Sequence, residues 1–180
     1  ALAGQAIEGI AQGRQAVELL EGTEERSWLG HAHWVVALNY LQISSFEPAL
    51  EALAKADAIA EVTGDPRLQT VAAWCAGTLH AVMGNAEAGV AACRRAVECA
   101  PDPLNRAVAT GWLGYAHMES GDAAQAISLL ERAAGQFGRF GYRPLQAWFT
   151  AFLAEAYRIG GQLDVAREVA TKALQIATDS

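Results

Sequence analysis

Residues 104–133 read LNRAVATGWLGYAHMESGDAAQAISLLERA, and the fold follows from the way this stretch recurs. Its turn, Gly121-Asp122, has counterparts at Ser44-Ser45, Gly84-Asn85 and Gly161-Gln162. A small residue follows each turn by five positions (Ala49, Gly89, Ala126, Ala166), and an alanine follows by twelve (Ala56, Ala96, Ala133, Ala173). Gly4, Gly9 and Ala16 fit the same template near the start. Gly4, Ser44, Gly84, Gly121 and Gly161 therefore stand 40, 40, 37 and 40 residues apart. Self-similarity at such a period marks stacked repeats, each burying its apolar face on the next.

Each period divides into two helical stretches. The pattern predicts first (A) helices over 26–43, 68–83, 104–120 and 145–160, and second (B) helices over 46–62, 86–99, 123–137 and 163–177. A further B-type helix is predicted over 3–20. Abundant alanine and leucine with few β-branched residues favour helix throughout. Gly84 and Gly121 suit the left-handed residue that ends a helix, and Asn85 and Asp122 suit the cap of the next. So short a break turns the two helices antiparallel. Asp65-Pro66 and Asp102-Pro103 punctuate the chain between units, with aspartate as cap and proline at the first helical position. The expected organisation is one solenoid domain over 1–180: a leading B helix in 1–22, then hairpins over 23–63, 64–100, 101–140 and 141–180.

The small residues imply close helix contacts. Ala126 and Ala133 are seven apart and share one helical face, where they cannot hold a neighbour away. Ala37, Gly77, Gly114 and Ala154 occupy one matching position in the A helices. Three residues further on stands a larger ring, at Tyr40, His80, His117 and Tyr157.

Composition narrows the function classes. The net charge is −7 and the only lysines are Lys55 and Lys172, so no basic stripe is present to neutralise phosphates and no nucleic-acid partner is expected. Apolar stretches around 34–41 and 147–153 fall well short of a membrane span. No leading methionine, charged n-region or cleavage site is visible, so we expect a segment of a longer cytoplasmic protein. Cys75, Cys93 and Cys99 lack metal or redox spacing and read as reduced thiols. His31 and His33 point apart on a helix, so no metal is expected there. His80 and His117 read as packed, hydrogen-bonded histidines in the ring slot. No phosphate-binding loop, dinucleotide fingerprint, nucleophile elbow or zinc-protease motif occurs, so no enzyme activity and no cofactor are expected.

The pattern resembles the tetratricopeptide repeat (TPR) family. The family's motif of Leu-Gly, an aromatic three residues later, Gly-Asp, and two alanines seven apart is matched by Leu113-Gly114, His117, Gly121-Asp122, Ala126 and Ala133. Leu153, Ala154, Tyr157, Gly161, Ala166 and Ala173 follow it with small changes. The family's tryptophan slot is instead filled by His33, Ala73, Thr110 and Thr150, and the period exceeds the family's usual one. Long-period repeats of this kind are similar to those of bacterial ATPase-linked regulators, bacterial peptide-pheromone receptors and animal spindle-orientation adaptors. The resemblance implies an all-α, right-handed α-solenoid of antiparallel helical hairpins.

It also implies a concave groove lined by the A helices. Carried over by position, the groove comprises His31, Trp34 and Leu38; Trp74, Cys75 and Thr78; Trp112, Tyr115 and Met118; and Trp148, Phe152, Glu155 and Arg158. Val35, Val71, Val108, Gly111 and Ala151 share that face. The implied function is non-catalytic recognition of an apolar or amphipathic peptide inside a larger bacterial regulatory or signalling protein. The alternatives are a self-association module, a structural spacer and a small-molecule sensor. A carboxylate clamp of the chaperone-binding kind is not expected, since Glu155 and Arg158 are the only charges in the groove. Both faces of the A helices are apolar, so either something covers the aromatic row or the solenoid buries it within itself.

Overall fold

The computed structural model describes residues 5–179, among which stand nine helices: α1 (Ala6–Leu20), α2 (Arg26–Gln42), α3 (Phe46–Thr63), α4 (Pro66–Val82), α5 (Ala86–Cys99), α6 (Pro103–Glu119), α7 (Ala123–Phe140), α8 (Arg143–Ile159) and α9 (Leu163–Thr178). The even-numbered helices are the predicted A helices, and the odd-numbered ones the B helices. Gly4 and the first residues of the predicted leading helix lie outside the described residues. The bounds depart most at α7, which continues to Phe140 because Gly138 stays helical and Gly141, at φ 69°, provides the left-handed end.

Each intra-hairpin turn is held the same way. Ser44, Gly84, Gly121 and Gly161 are left-handed, at φ 57°, 82°, 80° and 76°. The next residue's N–H then reaches back to the ring-slot carbonyl: Ser45 to Tyr40, Asn85 to His80, Asp122 to His117 and Gln162 to Tyr157, at 2.8–3.0 Å. This is a Schellman closure, which satisfies carbonyls that the helix end leaves free.

The caps divide. The Asp65 carboxylate accepts from the backbone N–H of Arg67 and Leu68, and Asp122 from Gln125. Asn85 departs from its expected role: it stands at the N-cap, yet its side chain makes no cap bond. Ser45 and Gln162 at the equivalent position make none either, so these turns rest on the backbone closure.

Asp102 is the cap with the clearest electrostatic consequence. It accepts from the Asn105 backbone N–H at 2.9 Å and from the Asn105 amide at 2.7 Å, and Arg67 stands 3.6 Å away. The Asn105 backbone bond, then its side-chain bond, hold the carboxyl below its ordinary range. A depressed folded pKa contributes stability above the unfolded value and loses it as pH falls through the folded value. Asp102→Ala is expected to cost about 0.5–2 kcal/mol at neutral pH. The gap to the parent should shrink as pH drops below about 3.9, the ordinary aspartate value. Urea denaturation of both proteins across acidic pH checks this. A gap that persists unchanged in acid would refute the charged-cap account.

Helix contacts set the layers. Each A helix packs on its own B helix (α2 on α3, α4 on α5, α6 on α7, α8 on α9) and on the B helix before it. The A helices also touch in sequence, α2 to α4 to α6 to α8, whereas no two B helices meet among the described residues. The A helices are thus the inner row and the B helices the outer. An arc of this kind places its concave face on the A side.

The small residues lie where the chains come closest. A Cβ on Gly77 of α4 would stand 2.8 Å from the Gly89 carbonyl oxygen of α5, and one on Gly89 would meet Gly77 O at 2.9 Å. Gly114 faces Leu129 and Leu130 of α7. Ala49, Ala56, Ala96, Ala126 and Ala133 are fully buried. Between these close approaches the larger core residues Leu68, Leu79, Leu130, Phe137 and Phe149 are shut off from solvent.

Candidate functional site

The A helices bring their aromatic residues into one continuous row along the inner layer. At its N-terminal end Trp28 lies 5.9 Å from His31, and His31 meets Trp34 at 6.4 Å, edge on. Trp34 meets Trp74 edge on at 6.0 Å, and Trp74 stacks on Trp112 at 5.1 Å with planes 5° apart. Beyond Trp112 the row branches to Tyr115, Trp148, Phe149 and Phe152 at 5.8–6.5 Å. Tyr115 and Phe152 close the branch at 4.8 Å. Offset and edge-on pairs at these spacings favour each other beyond the area they bury.

The solenoid itself covers the middle of this row. Trp74 and Trp112 keep only 6% and 9% of their surface. Cys75, Thr78 and Met118, expected at the groove surface, are also buried. The cause is direct contact between successive A helices, which turns the residues between them into core. Trp34, Leu38, Tyr115 and Phe152 are half-buried, as is His31, whose Nδ1 stands 2.8 Å from the Ser27 carbonyl. Both ends of the row reach solvent, with Trp148 42% and Trp28 65% exposed. The groove is therefore narrower than the sequence implies.

The groove's polar groups are mostly spoken for. Glu155 and Arg158 form a two-pronged pair at 2.6 and 2.8 Å, and the Arg158 guanidinium holds the Glu155 carboxyl below its usual range. Thr78 donates to the Trp74 carbonyl at 2.8 Å. Burial, reinforced by the nearby Glu119, pushes the Tyr115 phenol up. Burial also raises the Cys75 and Cys93 thiols, each to about 12, so both stay protonated and weakly nucleophilic at neutral pH. His117 Nδ1 lies 3.4 Å from the Asp122 carboxylate, whereas His80 Nδ1 is buried without a partner, contrary to the hydrogen-bonded role expected for both. No group of three or more metal-ligating side chains occurs among the described residues. No helix among them is long and apolar enough to cross a membrane.

Two residues of the row escaped sequence reasoning. Trp28 is the third residue of α2, and its place one turn before His31 was the available signal. Phe149 follows Trp148 directly, but its burial among three helices has no local signature.

Comparison with known proteins agrees with this geometry. The tetratricopeptide repeat model matches residues 104–179. No curated protein matches the chain in sequence. Among solved structures, BtubC (BKLC) from P. vanneervenii superposes with a TM-score of 0.75 at 15% identity, over 98% of this chain and 75% of that one. Nearly identical TPR-like repeats from Podosopora anserina, described as a candidate kinesin light chain, give 0.64 at 19% identity over 98% and 89%. MamA gives 0.59 at 19% identity over 93% and 87%. At these identities the likeness establishes fold alone. Residues 104–179 thus match the tetratricopeptide repeat model, and the chain as a whole carries a TPR-like helical-hairpin solenoid fold.

Proposed function

We propose that this chain is a non-catalytic recognition scaffold whose inner face binds an apolar or amphipathic peptide. TPR scaffolds generally serve protein–protein interaction, and that coarse reading comes with the family. The observation that carries the finer one is the exposed C-terminal end of the aromatic row. There Trp148 stands open beside half-buried Tyr115 and Phe152, with the Glu155–Arg158 pair at the rim. An aromatic anchor beside partly sheltered rings, with a polar rim, is the composition of an interface hot spot. Rings already locked by their neighbours lose little freedom on binding. The parent we envisage is a larger bacterial regulatory or signalling protein, with this segment cytoplasmic.

The test is an unbiased peptide-display selection on the chain, counter-screened with Trp148→Glu. This site is open enough for glutamate to be tolerated, which circular dichroism and melting would verify. Recovered peptides should lose about tenfold or more in affinity for the variant. If selection yields only ligands indifferent to Trp148, the recognition reading is wrong.

Self-association is the second reading, because both outermost B helices show apolar residues to solvent: Ile7 and Leu19 on α1, Leu163 and Leu174 on α9. Light scattering over a dilution series distinguishes it. A mass that falls toward the monomer only on strong dilution would favour this reading.

A further inference from the structure

The outer side of the solenoid is furrowed, because successive B helices stand apart with an A helix as the floor between them. From α3 to α9, the residue before each template alanine is basic: Lys55, Arg95, Arg132 and Lys172. Across the α3–α5 furrow this position has a partner, since Arg95 of α5 reaches Asp57 of α3 at 2.9 Å. One repeat earlier the same two positions hold Lys55 and Val17, so the bridge has a cation and no carboxylate. There the furrow between α1 and α3 keeps an open cleft of about 460 Å³ over α2. Small-molecule sites span about 300–1,000 Å³.

The lining of this cleft carries unpaired groups of both signs. Glu18 and Glu21 stand on the α1 wall and Lys55 on the α3 wall, with Glu51 one turn before it. Among the described residues none of these four side chains makes an ion pair or hydrogen bond. Arg14 is already engaged by the Tyr40 hydroxyl and ring. On the floor His33 is only 9% exposed, and its imidazole makes no hydrogen bond either. Buried polar groups normally have partners. The repeat does not demand a histidine at this position: α4 holds Ala73, while Thr110 and Thr150 donate to carbonyls of their own helices. The furrow between α7 and α9 provides an internal comparison. Its cleft of about 290 Å³ has Lys172 in the place of Lys55, but Gly135 and Gly138 replace Glu18 and Glu21. Its Glu131 accepts from the Tyr157 hydroxyl at 2.7 Å. Of the two clefts, only the one between α1 and α3 offers free groups of both signs beside an unsatisfied imidazole.

We propose that the α1–α3 furrow is a binding site for a zwitterionic small molecule, an apolar α-amino acid. The ligand carboxylate meets Lys55 as the Asp57 carboxylate meets Arg95, with the His33 ring N–H as a second donor. The ligand ammonium turns to Glu18 and Glu21 on the facing wall. Charge-assisted hydrogen bonds of this kind are the strong ones. The ligand side chain lies on Val17, Val36 and Ala52, the apolar part of the lining. Neither charge suffices alone: an anion would face the carboxylates of Glu18, Glu21 and Glu51, and a cation would leave Lys55 unpaired. This site is on the outer side of the solenoid and stands independently of the peptide site proposed at Trp148.

The probe is radiolabelled L-leucine, added to the intact chain and followed by equilibrium dialysis. Saturable binding is expected. Unlabelled isocaproate, which lacks the ammonium, and isoamylamine, which lacks the carboxylate, should each compete about tenfold less well than leucine or worse. Val17→Asp gives Lys55 the partner that Arg95 has in Asp57, and should weaken binding about tenfold or more while the helices remain. Lys55→Gln, at an exposed position, should weaken it as much and keeps the test decisive if the aspartate disturbs folding. His33→Ala, which matches Ala73, should weaken it as well. Trp148→Glu should leave it unchanged. Circular dichroism of each variant guards against unfolding. The proposal is overturned by absence of saturable leucine binding, or by binding indifferent to Lys55→Gln. It is equally overturned if isocaproate or isoamylamine competes as well as leucine, since one charge would then suffice, or if Trp148→Glu abolishes binding, since the ligand would then sit on the aromatic row.

Discussion

Phe149→Ala should be the most damaging single truncation in this chain, costing about 3–5 kcal/mol. For a chain of this length that corresponds to a fall in melting temperature of about 6–20 °C. The ring is fully buried. It lies 5.6 Å from Phe137 of α7 and 5.8 Å from Trp112 of α6, edge on to the latter. It also presses on α6 so closely that a Cβ at Gly111 would stand 2.4 Å from its Cε1. One side chain on α8 thus joins three helices across the boundary between the last two hairpins. Stability in a solenoid is approximately the sum of unit terms and neighbour interfaces. Losing this interface should therefore free α8 and α9 before the rest, so hydrogen exchange in 143–178 should quicken more than in α2–α5. Phe149→Leu, which keeps much of the volume, should lose far less. Melting curves for both variants provide the check, and equal losses for alanine and leucine would contradict a packing origin.

Gly77→Leu ranks second. Its Cβ would stand 2.4 Å from Cys93 Sγ, 2.8 Å from Gly89 O and 2.9 Å from Cys93 N. Two of these three atoms are backbone, which no rotamer change can move aside. The α4 and α5 axes must separate, and the expected cost is about 1–3 kcal/mol or somewhat more. Gly114→Leu offers a graded comparison, because its nearest neighbours are side-chain atoms of Leu130 at 2.8 Å and Leu129 at 3.1 Å. Those side chains have some freedom to repack, so the loss should be smaller. Denaturant midpoints for the pair give the ordering, and a Gly77→Leu protein as stable as the parent would show that the close approach is dispensable.

Much of this architecture is written locally. The turn residues Gly84, Gly121 and Gly161 take the left-handed conformation that glycine adopts without steric cost, and Ser44 adopts it as well. Asp65-Pro66 and Asp102-Pro103 start α4 and α6 through bonds made within three residues of the cap. Such signals act over one helical turn, so a sequence pattern is enough to locate them. Gly138 shows the limit. It reads as a break, yet the helix passes through it, because Gly141 supplies the stop three residues later. Asn85 shows another, since its residue type suits a cap while the backbone closure to His80 already fixes the turn.

The candidate site divides along the same line. That Trp34, Trp74, Trp112 and Trp148 fall on the inner row follows from helical periodicity and the position of the turns. Whether each is surface or core does not, because the A helices are apolar on both faces and periodicity cannot rank two apolar faces.

The sequence by itself determined the number of helices, their antiparallel pairing and the register of small residues, all of which depend on interactions between residues near in the chain. The tertiary structure alone decided how tightly successive A helices close on one another. That spacing buries Trp74, Trp112, Cys75, Thr78 and Met118 while leaving Trp148 open. It depends on side chains about forty residues apart meeting across helices, such as Trp74 on Trp112 and Phe149 on Gly111, and the volumes of such distant pairs take effect only once the solenoid has formed.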